Sequence, residues 1–184
     1  MLTLDNLRDR LRHDSRDLHD LVDRCYTQFD LATEAGLAAF LAAQLGVLGA
    51  IRLGPGPGRD EAAGMIEAQS MAIRGDLAAL GRTPPDPFPP GPPVQPQAAL
   101  YVLLGSRLGT QLLRRTWEGN DSPAVRAAGA YLTLDPMTAR WRGYCREMAA
   151  RPGTGPAADA LLRDVRALFQ LYWRGAEATS EAHA

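Results

Sequence analysis

Apolar residues recur at helical spacing along nearly all of this chain, and no alternating strand pattern persists anywhere. Leu4, Leu7, Leu11, Leu18, Val22, Cys25 and Phe29 step by three and four, with one polar gap between Leu11 and Leu18. Such a stripe predicts a first helix of about seven turns. A helix of this kind buries its stripe against other helices. An all-α, single-domain bundle of six to eight helices is therefore expected. A chain of 184 residues can bury a sizeable core in one domain.

Breakers mark the remaining elements. Asp30 or Thr33 can cap a second helix, which carries Leu37, Phe40, Leu41, Leu45 and Leu48 and ends in "GPGPG". A third helix is expected from about Asp60 to Leu80, with Gly64 and Gly75 inside it. "TPPDPFPPGPP" excludes regular structure and reads as a stiff, extended connector within the same domain. "AALYVLLGSRLGTQLLRR", residues 98–115, is helical again, and "EGNDSP" ends it. Residues 124–150 give one or two helices, including "ARWRGYCREMAA", and "RPGTGP" stops them. The last helix, 157–175, carries Leu161, Leu162, Val165, Leu168, Phe169 and Tyr172. The domain is expected to span 1–176, with 177–184 a disordered polar tail that contains His183.

The net charge of −1 points to neither a general nucleic-acid binder nor a membrane-surface binder. No lysine occurs, so an anion site must be built from arginine, tyrosine, serine or backbone N–H groups. Cys25 and Cys145 have no CxxC partner, which argues against a disulfide framework and a zinc site. The opening "MLTLDNLRDRLRHD" has no apolar signal region. The longest apolar stretch, "LAAFLAAQLGVLGAI", is shorter than the roughly 20 residues of a spanning helix. A soluble cytoplasmic protein is the expectation.

Two stretches hold the candidate site. Gly105 and Gly109 lie four apart within one helix, with Ser106 and Arg107 between them. Each glycine there costs roughly 1 kcal/mol relative to alanine. Either another helix backbone packs against the bare positions, or that surface lies over a flat ligand. On the first helix, Arg12, Ser15, Arg16, Asp23 and Tyr26 stand at offsets along or beside the face of His19. His19 is either a hydrogen-bonded structural residue at the edge of the apolar stripe or a metal ligand. A ligating imidazole uses one nitrogen for the metal and directs the other to a carboxylate, carbonyl or water. Asp23, at i+4, suits that role, and Arg12 and Arg16 suit the carboxylates of a flat, dianionic ligand. His13 points to another face and reads as solvated.

"LRHDSRDLHDLVD" followed by "ALYVLLGSRLG" resembles the bacterial heme oxygenases, particularly the branch that supplies biliverdin to phytochrome-type photoreceptors. "RWRGYCREM" and, less specifically, "ALFQLYW" also look like helices of this family, and the order spans most of the chain. The resemblance implies heme between a proximal and a distal helix. His19 is then the iron ligand, Asp23 its orienting carboxylate, and Gly105, Ser106 and Gly109 the distal surface. Arg12, Arg16, Arg142 and Tyr144 are the implied contacts to heme carboxylates. The implied reaction is opening of heme to biliverdin, carbon monoxide and ferrous iron. It uses O2 and an external electron donor such as ferredoxin or ascorbate. Heme is both cofactor and substrate, and the implied partners are the electron-donor protein and a bacteriophytochrome receiving biliverdin.

The chain departs from the family pattern in places. Leu104 stands where the bacterial subgroup has glutamate, and Thr110 where a further glycine is common. Ser106 stands where the better-known branch has aspartate; the phytochrome-associated branch also has serine there. Leu104 and Thr110 give some weight to the alternative, a heme-binding or heme-carrier protein of the same fold without ring cleavage. A di-iron oxidase would need several inward carboxylates and histidines, and no E-x-x-H motif occurs. A thiaminase-like hydrolase would need a cysteine nucleophile near carboxylates, whereas Cys25 falls on the core stripe.

Overall fold

The computed structural model describes residues 5–181. Among them are nine helices: α1 (Leu7–Asp14), α2 (Arg16–Tyr26), α3 (Glu34–Ala50), α4 (Arg59–Ala79), α5 (Pro96–Glu118), α6 (Pro123–Ala127), α7 (Ala130–Thr133), α8 (Thr138–Ala149) and α9 (Pro156–Glu181). Extended pairing within this range is limited to two isolated bridges, Asn6 with Pro152 and Leu53 with Val94. The described chain is all-α, and none of its helices is long and apolar enough to cross a membrane.

The expected first helix is two. Ser15 leaves the helical path at φ −111° and ψ 1°, and its hydroxyl donates to Leu11 O at 2.6 Å. That bond replaces part of the backbone ladder at the polar gap in the stripe. Leu4 lies outside the described residues, and Phe29 follows the end of α2 rather than belonging to it. Thr33 caps α3 by accepting from Gly36 N at 3.0 Å. Residues 123–149 form three helices instead of one or two. The last helix continues to Glu181, so residues 177–181 are helical where a tail was expected; His183 lies outside the described residues.

α3 sits at the centre and is buried around its circumference, from Leu37 and Phe40 to Val47 and Leu48. Its main neighbours are α9 on one side and α4 on the other; α9 also carries α2 and α5. Gly175 of α9 permits the close approach, since a Cβ there would lie 2.5 Å from Val47 Cγ2. The proline-rich connector crosses the same seam. Phe88 lays its ring where a Cβ on Gly46 would stand, 2.5 Å from Cε2. The end of the connector pairs with residues 52–54 through Gly54 N to Val94 O at 2.8 Å and Val94 N to Arg52 O at 2.9 Å. A segment without regular structure is thus tied down at its middle and at its end.

Polar ties fix the outer helices. Arg166 of α9 reaches both carboxylate oxygens of Asp17 on α2, at 2.9 and 3.1 Å, and also the Asp14 carbonyl. Arg140 of α8 grips Glu61 of α4 at 2.6 and 2.9 Å. Asp76 is buried in α4 and accepts from Ala130 N and Tyr131 N, each at 2.8 Å, which closes the free N–H groups at the start of α7.

A cleft between two helices as the candidate functional site

α2 and α5 both rest on α9, and between them lies a cavity of about 780 Å³. That is within the roughly 300–1,000 Å³ usual for small-molecule sites. His19 and Asp23 line it from α2, and Gly105, Ser106 and Gly109 line it from α5. The two stretches singled out in the sequence therefore face one another across open space. Phe40 and Gln44 of α3, with Phe169 and Tyr172 of α9, form the inner wall. Arg8, Arg12 and Arg16, all exposed, stand at the outer rim.

His19 is half-exposed, as its place at the edge of the stripe demands. Its Nδ1 lies 3.2 Å from Asp23 Oδ2 and 3.7 Å from Asp20 Oδ1. The Phe169 ring meets the imidazole edge-on with centroids 5.6 Å apart. Nε2 has no hydrogen-bond partner among the described residues. A ring held on one side by carboxylates and an aromatic wall, with the other nitrogen open, is suited to ligate a metal. His13, by contrast, is exposed and pairs with Asp14 at 2.8 Å.

The roof is thin at both glycines. A Cβ on Gly109 would have nothing within 4 Å, and one on Gly105 would meet only the Trp141 ring, at 3.7 Å. No helix backbone approaches either position, so close helix packing does not account for them. Ser106 lines the cavity while donating to Leu103 O at 2.9 Å, which leaves its oxygen as an acceptor. Leu104 is fully buried in the core. Thr110 lines the cavity and donates to Arg107 O at 2.8 Å.

Three of these residues, Tyr144, Arg142 and Arg107, lie away from the cavity lining. Tyr144 is 1% exposed, and its hydroxyl donates to Gln97 O at 2.6 Å; it joins α8 to α5 and does not line the cavity. Arg142 is exposed on the opposite side of α8 and also lies away from it. On a helix the positions facing the cleft are then Trp141 and Cys145, one turn apart, and these do line it. Arg107 points inward instead, over the Tyr131 ring at 5.1 Å and onto Leu134 O at 2.8 Å. Arg8 extends the arginine row of Arg12 and Arg16 and was legible as the preceding turn of the same stripe. Gln44, Tyr101 and Tyr172 carried no comparable signal, because each reads as an ordinary core position.

Burial raises the Tyr26 hydroxyl well above the ordinary tyrosine value, with Tyr172 and Tyr131 adding to it. Burial likewise raises Tyr101 and Tyr131. These cavity tyrosines remain neutral donors across the physiological range. Cys25 does not line the cavity, and burial raises its thiol too, the opposite of what a nucleophile needs. Among the described residues no group of three or more His, Cys, Asp or Glu side chains is placed to hold a metal by itself. A smaller cavity, of about 240 Å³, lies between the connector and α9 and contains none of these site residues. No family model, curated protein or solved structure matches the chain.

Proposed function

We propose that the α2–α5 cleft binds heme and that the protein is a heme oxygenase, opening the ring to biliverdin, carbon monoxide and ferrous iron with O2 and electrons from an external donor. One observation carries this reading: a histidine with an open Nε2 faces, across the cavity, a helix stripped of side chains at Gly105 and Gly109. His19 would hold the group from α2, and the bare positions of α5 would leave space for it that a Cβ at Gly109 would enter. The residues present therefore fit the group.

Bound heme supplies the redox and oxygen chemistry; the chain supplies orientation and exclusion. Asp23 and Asp20 hold Nδ1 so that Nε2 is presented to iron. Arg12 and Arg16, with Arg8, would pair with the two carboxylates of heme at the rim. Gly105 and Gly109 leave room for a diatomic gas beneath α5, and the Ser106 oxygen offers a polar contact there. Phe40, Phe169 and Tyr172 keep bulk water from the inner edge. An electron-donor protein and a bacteriophytochrome that accepts biliverdin are the partners that accompany this activity.

Hemin titration followed by reductant tests the proposal. The expected result is a His19-dependent absorption band that gives way to biliverdin absorption, with carbon monoxide released, when ascorbate or a ferredoxin system is added. A bound heme spectrum that persists under reductant and O2 would instead identify a carrier, the reading that Leu104 and Thr110 favour.

A further inference from the structure

The rim and the inner wall of the cleft differ in chemistry. Arginines at the rim suit carboxylates. The inner part of the cleft is mostly aromatic, and two of its polar groups, the Gln44 amide and the Tyr26 hydroxyl, make no hydrogen bond within the fold. Gln44 of α3 is 7% exposed, lines the cavity, and its amide makes no hydrogen bond among the described residues. Tyr26 of α2 is 8% exposed and lines the same space, and its buried hydroxyl has no partner. Thr110 donates to Arg107 O, and Tyr131 lies under the Arg107 guanidinium. Buried polar groups are ordinarily satisfied, so a buried hydroxyl without a partner beside an amide open to the cavity points to a bound group that satisfies them.

Intact heme is not that group. With its carboxylates at Arg12 and Arg16 it would turn the opposite edge inward, and that edge carries only C–H, methyl and vinyl groups. Opening the ring at the bridge on this edge would change it: the bridging carbon leaves, and the two flanking rings each end in a carbonyl beside an N–H. A glutamine amide, with one acceptor and two donors, complements such a lactam, and a tyrosine hydroxyl can donate to its carbonyl.

Resting on the heme reading above, we propose that Gln44 and Tyr26 form an inner subsite that binds the lactam ends of the linear tetrapyrrole product in preference to the closed ring. The wall is apolar enough to accept the ring and polar enough to hold the opened chain, so product release draws on these two contacts.

The test is parallel titration of the full chain with hemin and with biliverdin, followed by absorption and tryptophan quenching, in the wild type, Gln44→Leu and Tyr26→Phe. Each variant is expected to bind biliverdin roughly 3- to 10-fold more weakly, the size of one hydrogen bond, and hemin within about two-fold of wild type. Tyr26→Phe removes one oxygen at constant shape, so it keeps the test decisive if Gln44→Leu fails to fold. Unchanged biliverdin affinity, or equal loss for both ligands, overturns the subsite while His19-dependent hemin binding stands. Failure of the wild type to bind either ligand overturns the heme reading and the subsite together.

Discussion

Asp23 Oδ2 lies 3.2 Å from His19 Nδ1, one turn along α2, while both side chains stay more than half exposed. The pair is therefore not a core contact, and its removal should leave the fold intact. Asp23→Ala is expected to weaken hemin binding by about 10- to 100-fold, the usual effect of losing the group that orients a ligating histidine. Thermal unfolding should shift little. Hemin affinity unchanged by the substitution would reduce Asp23 to a surface residue.

Gly109 and Gly175 should respond oppositely to the same change. A Cβ at Gly109 meets nothing, so Gly109→Ala gains about 0.5–1 kcal/mol of helix stability. Hemin affinity should fall at the same time, and more so in Gly109→Leu, because the side chain enters the cleft. Gly175→Ala drives its methyl group into Val47 and should destabilise by about 1–3 kcal/mol. Denaturant unfolding of both variants checks this. A destabilised Gly109→Ala would mean that the position serves packing after all.

Arg12 and Arg16 are exposed at the rim, so their pairing with ligand carboxylates is screened by solvent and salt. The double variant Arg12→Ala/Arg16→Ala should lose roughly 3- to 30-fold in hemin affinity at low salt and less at high salt. The dimethyl ester of heme should bind both forms alike. Equal losses for the acid and the ester would show that the arginines pack rather than pair.

Asp17 and Arg166 connect α2 to α9, and the hydrogen bond from Arg166 holds the Asp17 carboxyl below its ordinary value of 3.8. The folded state thus favours the ionised form. Its stabilisation is present above the unfolded value and fades as pH falls through the lower folded one. Because Asp17 is largely exposed, Asp17→Asn should cost no more than about 1 kcal/mol at pH 7. The difference from wild type should shrink below about pH 4 in urea unfolding curves. A difference that grows on acidification would contradict this origin.

Helix spacing and breakers carried most of the fold, because stripes at three and four have few other solutions and prolines end them. The break at Ser15 was written in the sequence as the gap between Leu11 and Leu18, where a short hydroxyl side chain can bond its own backbone. The short α6 and α7 were not legible, since their positions depend on Asp76, far away in α4, receiving Ala130 N and Tyr131 N. Tyr144 and Arg142 lie off the cavity for a related reason. The residue pattern of α8 does not say which side meets the cleft, and packing on α5 turned Trp141 and Cys145 toward it. His19, Asp23, Gly105 and Gly109 were legible because their residue types are costly or unusual where they stand. Gln44 becomes notable only once three helices converge on it, whereas Tyr26 already stood beside the face of His19.

The most direct measurement is absorption titration of the wild type and His19→Ala with hemin. The account predicts saturable one-to-one binding with a sharp Soret band in the wild type, and loss or marked displacement of that band in the variant. Identical spectra and affinities in the two proteins would contradict it.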